Sequence, residues 1–175
     1  QLTGISDESG STSFSYDLHG RLLSKTQTAK INTLNFTQTL SYQYDSAGRL
    51  EQTTYPSGTQ ISTTYGADGR PTEIRVNGDL LLSNIVYQPF GEPRSWVWGN
   101  GQAYTRSFDS DGRLKTHPIG SDTRTLTYDA ASRITNTTDS NPVYNRTYDY
   151  DARNHLISQS DNTSFKLWDY DANSN

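Results

Sequence analysis

Tyr44-Asp45-Ser46-Ala47-Gly48-Arg49-Leu50 decides how the rest of the chain is read. Versions of this Y-D-x-x-G-R-L stretch recur as Tyr16-Asp17-Leu18-His19-Gly20-Arg21-Leu22, Tyr65-Gly66-Ala67-Asp68-Gly69-Arg70, Tyr87-Gln88-Pro89-Phe90-Gly91 and Phe108-Asp109-Ser110-Asp111-Gly112-Arg113-Leu114. They continue as Tyr128-Asp129-Ala130-Ala131-Ser132-Arg133-Ile134, Tyr150-Asp151-Ala152-Arg153-Asn154-His155-Leu156 and Tyr170-Asp171-Ala172-Asn173. Successive aromatic anchors are 28, 21, 22, 21, 20, 22 and 20 residues apart. So regular a spacing marks a repeat architecture.

Each motif has the chemistry of a hairpin. An aromatic suits a strand end, Asp opens a turn by accepting backbone N–H bonds, and Gly in the left-handed conformation closes a type I turn with a bulge. Arg-Leu then begins the return strand. A second turn signal falls about midway between anchors: Glu8-Ser9-Gly10, Pro56-Ser57-Gly58, Asn77-Gly78, Asn100-Gly101, Asp139-Ser140-Asn141-Pro142 and Asp161-Asn162. Two turns per period leave two strands of about seven residues. The sequence therefore predicts an all-β, antiparallel meander of about 15 strands, with residues 1–175 forming one array of about eight repeats.

Alternation along the segments supports strands. Phe14 and Tyr16 share a face, as do Leu40, Tyr42 and Tyr44. Tyr104, Arg106 and Phe108 read as one strand entering the next motif; Arg106 and Arg146 sit on aromatic faces, where a guanidinium stacks as part of the packing. Between Leu22 and Tyr44 the spacing grows by about seven residues over the usual period, with no turn residue between Lys25 and Asn35 until Asn32. That stretch is a lengthened hairpin or an inserted loop.

Composition narrows the function classes. Only 31% of the residues are hydrophobic, with twelve Tyr, five Phe and three Trp, so many packed rings carry a hydroxyl that needs a partner. A net charge of -4 argues against a nucleic-acid partner, which requires a clustered basic face. The absence of cysteine rules out disulfides and thiolate metal sites. No apolar run is long enough for a membrane-spanning helix.

No catalytic motif emerges. The chain lacks G-x-S-x-G, H-E-x-x-H and a phosphate loop. His19, His117 and His155 fall in or beside turns without metal-ligand spacing. The pairs Asp109 with Asp111, Asp149 with Asp151 and Asp169 with Asp171 each contain a repeat turn Asp, which explains them without glycosidase chemistry. Asp109-Ser110-Asp111-Gly112 opens like a calcium loop but lacks the closing Glu. No catalytic residue, metal or cofactor is expected. Asn35, Asn136, Asn145 and Asn162 head glycosylation sequons, which matter only in a eukaryotic source.

The motif and its spacing resemble those of the RHS-repeat, or YD-repeat, family, over nearly the full chain. Tyr87-Gln88-Pro89-Phe90-Gly91 and Trp98-Gly99-Asn100-Gly101 look like recurrent family variants. The resemblance implies a curved or spiralling β-sheet, of the kind that forms hollow shells in bacterial insecticidal toxin complexes, polymorphic toxins and teneurins. It implies a scaffolding, encapsulation or cell-surface role, and a secreted or surface-exposed location. The family's P-x-x-x-x-D-P-x-G self-cleavage core is absent from this sequence, so autoproteolysis and toxin activity are not carried over.

Two function classes stand. One is a non-enzymatic structural segment whose partners are further repeats or copies of itself, joined through sheet edges. The other is an adhesion module binding carbohydrate or a receptor through exposed Tyr rows and Trp96, Trp98 and Trp168. A sheet of about 15 strands spans on the order of 70 Å, and closed into a ring it is only about 23 Å wide. That is too narrow to hold a folded domain, so the chain is expected to act as a segment or tile. Gln1-Leu2 placed after Tyr170-Asp171-Ala172-Asn173-Ser174-Asn175 makes a nearly regular motif, one residue too long.

Overall fold

The computed structural model describes residues 1–31, 34–89 and 91–171, and the chain divides into two compact units, Gln1–Ala103 and Tyr104–Asn175. The first sheet has ten strands: β1 (Gly4–Asp7), β2 (Gly10–Tyr16), β3 (Leu22–Ile31), β4 (Leu34–Tyr44), β5 (Leu50–Thr54), β6 (Gln60–Tyr65), β7 (Pro71–Val76), β8 (Asp79–Tyr87), β9 (Pro93–Trp98) and β10 (Ala103–Thr105). The second has seven: β11 (Ser107–Phe108), β12 (Leu114–Ile119), β13 (Asp122–Tyr128), β14 (Ile134–Asp139), β15 (Arg146–Tyr150), β16 (Leu156–Ser160) and β17 (Phe165–Leu167). In both, every strand lies beside its neighbours in sequence. This is the meander predicted from two turns per period. The stretch Tyr104–Phe108, which reads as one strand, is interrupted at Arg106: Thr105 ends the first sheet and Ser107 begins the second.

Local chemistry explains the motif turns. Asp45 N–H donates to Arg49 O at 2.9 Å, Gly48 N–H donates to Asp45 O at 3.0 Å, and Gly48 sits at φ +82°. These features define a type I turn closed by a left-handed residue, with a register shift between Gln43 and Tyr44. The arrangement repeats at Asp17, Gly20 and Arg21 and at Asp109, Gly112 and Arg113. Ser132 at φ 63° and Asn154 at φ 69° take the glycine position in two later repeats. One turn lacked a recognised sequence signal: Gly120-Ser121 joins β12 to β13, with Gly120 at φ 59°. Asp139–Asn145 holds a single 3-10 turn, Pro142–Tyr144, capped by Asn141.

The wide spacing before Tyr44 is a lengthened hairpin. β3 and β4 have 10 and 11 residues and stay in register from Ser24↔Ser41 to Ile31↔Leu34. The turn expected at Asn32 lies outside the described residues.

Neither sheet encloses a closed apolar core. Ile85, at 8% exposure, is the buried hydrophobic residue among those described, and no described side chain is fully buried. The alternating pattern nevertheless holds: Thr12, Phe14 and Tyr16 are half-buried while Ser11, Ser13 and Ser15 are exposed.

Left-handed backbone at the turns carries a measurable cost. A Cβ at Gly112 meets nothing within 4 Å, so Gly112→Ala should lower stability by about 1 kcal/mol through backbone strain alone. At Gly48 the added Cβ would also lie 3.1 Å from Arg21 Nη1. Chemical denaturation should therefore rank Gly48→Ala below Gly112→Ala.

Candidate functional site: an interlock between repeats

The Tyr, Asp and Arg of the motif converge on one recurring constellation that joins neighbouring repeats within each unit. Asp45 Oδ1 accepts the N–H groups of Ala47 and Arg49 at 2.9 Å each, and its Oδ2 accepts Arg49 Nε at 2.7 Å. The carboxylate thus fixes the turn and orients the guanidinium. That guanidinium lies 4.6 Å from the centre of the Tyr65 ring, in the following repeat. Arg49 Nη1 continues to Gly66 O at 3.3 Å, and Tyr65 Oη donates back to Leu50 O at 2.7 Å. Each link is therefore reciprocal: Arg reaches forward to the next aromatic, and the next hydroxyl reaches back to the residue after Arg.

The same joint recurs along the chain. Arg21 covers Tyr44 at 4.7 Å, Arg70 covers Tyr87 at 5.2 Å, Arg113 covers Tyr128 at 4.7 Å and Arg133 covers Tyr150 at 4.9 Å. Tyr44 Oη donates to Leu22 O, Tyr87 to Pro71 O, Tyr128 to Leu114 O, Tyr150 to Ile134 O and Tyr170 to Leu156 O, all at 2.7 to 3.0 Å. Arg113 Nη1 also donates to Ser132 Oγ at 3.1 Å, and Arg133 Nη1 to Asn154 Oδ1 at 3.0 Å. The two side chains standing in for glycine thus serve as acceptors for the preceding Arg.

Departures from the motif are compensated nearby. Gly66 stands where Asp is expected, and Asp68 supplies a carboxylate instead, 3.5 Å from Arg70 Nε. Arg70 then donates to Gln88 O at 2.8 Å and Pro89 O at 2.7 Å. In that turn Gly91 N–H donates to Gln88 O at 3.4 Å; Phe90 lies outside the described residues. Phe108 has no hydroxyl and is covered by Arg106 at 5.8 Å, the stacking expected of that Arg. Arg146 is placed differently, 3.5 Å from Asp161 and bonded to the carbonyls of Val143 and Asn145. His155 takes the Arg position, with Nδ1 3.0 Å from Asp151 Oδ2 and its ring 4.7 Å from that of Tyr170. Gln1 does so at the other end, with Nε2 donating to Gly20 O at 2.9 Å and Tyr16 Oη donating to Leu2 O at 2.8 Å.

The remaining candidate residues each have a local place. Asp109 caps its turn and Asp111 pairs with Arg113 at 3.0 Å; Asp149 accepts Ser158 Oγ at 2.7 Å. His117 lies within β12, and His19 is largely exposed. Trp96 and Trp98 meet edge to face with centroids 5.7 Å apart, while Trp168 belongs to the second unit. Gly99 is required beside them, because a Cβ there would fall 1.9 Å from Leu80 O.

These turns carry a pH signature. The Asp45 carboxyl is held below its ordinary value of 3.8, chiefly because it accepts the Arg49 backbone N–H, with burial opposing and the Arg49 side chain adding to the effect. Asp129 is lowered in the same way by Arg133. The folded state therefore binds these protons less readily than the unfolded state. The stabilisation is present above the ordinary carboxylate range and is lost as pH falls through the depressed folded values. Urea midpoints should be level from about pH 7 to pH 5 and fall below about pH 4, with a shallower fall in Asp45→Asn. A second expectation concerns shape rather than charge. Arg49→Lys keeps the cation but loses the planar fork, and should cost about 1 kcal/mol or more. Tyr65→Phe should cost about 1 kcal/mol by removing the bond to Leu50 O. Thermal and chemical denaturation check both.

The RHS repeat family matches the chain over residues 1–31, 28–60 and 44–79. No curated protein matches it. Among solved structures, the crystal structure of TcdB2-TccC3 without its hypervariable C-terminal region superposes with a TM-score of 0.80 at 18% identity, covering 91% of this chain. The Photorhabdus luminescens Tc holotoxin pore with the TccC3 D651A mutation superposes at 0.77, again with 18% identity and 91% coverage. In each case the chain spans 9% of the matched chain's length. The family match identifies residues 1–79 as RHS, or YD, repeats, and the recurring motif and the shared all-β fold carry the likeness over the rest of the chain.

Proposed function

We propose that this chain is a non-enzymatic structural segment, one array of YD repeats within a larger secreted or cell-surface protein. It builds part of a β-sheet wall of the toxin-delivery and encapsulation type. The observation that carries this reading is the interlock: the distinctive polar side chains of the motif are committed to one another, Asp to its turn, Arg to the next Tyr and Tyr to the preceding carbonyl. Such a motif is built to propagate a sheet. Its natural partners are further repeats, or other copies, that continue the sheet through the same joint. The likeness to toxin-complex structures over a small part of their length accords with a segment role. Electron cryomicroscopy of the natural polypeptide should show residues 1–171 as a stretch of wall flanked by more Tyr-Asp hairpins. A free-standing particle made of these repeats alone would contradict the proposal, as would a hydrolytic activity in the pure chain.

A second reading rests on Trp98, 38% exposed beside a shallow hollow formed with Leu80, Leu81, Gly99, Asn100 and Gln102. An amphipathic ring bordered by amides is suited to stacking on a sugar. Titration with a glycan panel at millimolar concentration tests it: binding abolished by Trp98→Ala supports an adhesion role, and no heat of binding disposes of it.

A further inference from the structure

β3 and β4 outrun the strand on their far side, and this leaves an open edge within the first sheet. β4 pairs with β5 only from Ser41↔Thr54 to Tyr44↔Leu50. The chain then reverses at Tyr55–Thr59, where Tyr55 N–H donates to Thr59 O and Gly58 N–H donates to Tyr55 O. Among the described residues no strand lies against the β5 side of Leu34–Leu40.

The direction of the backbone groups follows from the ladder. Asp45 N–H points to the β5 side, donating to Arg49 O, so residues two, four and more positions before it in β4 point the same way. Asn35, Thr37 and Thr39 therefore each direct an N–H and a C=O into the open edge. The even-numbered residues turn theirs toward β3. Consistent with this, Thr37 and Thr39 form closely spaced pairs with β3, and their hydroxyls bond Thr28 and Thr26 at 3.0 Å.

None of the usual protections is present. Natural edge strands are kept apart by Lys, Pro, bulges or brevity. Leu34-Asn35-Phe36-Thr37-Gln38-Thr39-Leu40 has no charge, no Pro and no Gly, is bulge-free against β3, and exposes Leu34 at 63% and Phe36 at 52%. The segment is also self-complementary. Turned antiparallel on itself about Thr37, it places Leu34 opposite Leu40, Asn35 opposite Thr39, Phe36 opposite Gln38 and Thr37 opposite Thr37. On one face Leu34 meets Leu40 and Phe36 meets the Gln38 amide, hydroxyl and amide residues meet on the other, and no charges oppose each other.

We propose that two copies of the chain associate through this edge, the β4 strands pairing antiparallel about a two-fold axis at Thr37. The contact is isologous, so it closes at a dimer. It is separate from the end-to-end continuation of repeats, because it uses an internal strand and leaves β1 and β17 free to extend the sheets.

Sedimentation velocity of the full chain over a range of concentrations tests this directly. Wild type should show a monomer–dimer equilibrium. Thr37→Lys and Thr37→Glu each place like charges face to face across the axis and should weaken the dimer about fivefold or more, whereas an equimolar mixture of the two should recover it. Circular dichroism verifies folding of each variant. Thr37→Pro is the second variant: it deletes an edge N–H while sparing the β3 ladder, and should also weaken the dimer. A wild type that stays monomeric overturns the proposal, even if it captures an extended peptide. So does association unchanged by Thr37→Lys, which would place the contact on β1, on β17 or on a sheet face, and so does a mixture that fails to recover.

Discussion

A guanidinium held between its own turn and the next repeat's aromatic ring is the contact on which this architecture depends. Ile85 is the lone buried hydrophobic residue among those described, so area removed from water cannot dominate as it does in a globular core. What remains is order within the sheet. A cation–π contact contributes about 0.5–1 kcal/mol at such sites, a Tyr hydroxyl bonded to a carbonyl about 1 kcal/mol, and these recur with every period. Because each joint touches only adjacent repeats, stability takes the nearest-neighbour form typical of repeat proteins.

The deviant repeats show which parts of the joint are indispensable. Asp can move, since Asp68 serves Arg70 from within the turn when Gly66 occupies the usual place. The cation can change, since His155 holds Asp151 and meets Tyr170. The glycine can be replaced, at Ser132 and Asn154, where the new side chain accepts a bond from the preceding Arg and so offsets some backbone strain. An aromatic residue stands at every anchor, and at Tyr16, Tyr44, Tyr65, Tyr87, Tyr128, Tyr150 and Tyr170 its hydroxyl bonds a preceding carbonyl. Where it is Phe108, the ring is covered by Arg106 rather than by the Arg of a preceding motif.

The fold was largely legible because its signals are local. Tyr, Asp and Gly at fixed offsets specify a turn irrespective of what surrounds it, and the period counts the hairpins. The joint was not legible, because it is made between residues about twenty positions apart. Arg49 reads as the first residue of a return strand, and only the register of neighbouring hairpins brings it over Tyr65. The acceptors Leu22, Leu50 and Leu114 were hidden for another reason: they take part through backbone carbonyls, which any residue type supplies. The break at Arg106 and the Gly120-Ser121 turn carry no strong turn signature. The open edge of β4 was implicit in the 28-residue interval before Tyr44, but the choice between hairpin and loop needed the pairing of β3 with β4.

A double-mutant cycle on Arg113 and Tyr128, whose guanidinium and ring centre lie 4.7 Å apart in consecutive repeats, probes the joint most directly. Denaturation of Arg113→Ala, Tyr128→Leu and the pair yields the coupling between them. The account predicts a favourable coupling of about 1 kcal/mol. Strictly additive losses would mean that the guanidinium and the ring do not couple across the repeat boundary, and would contradict it.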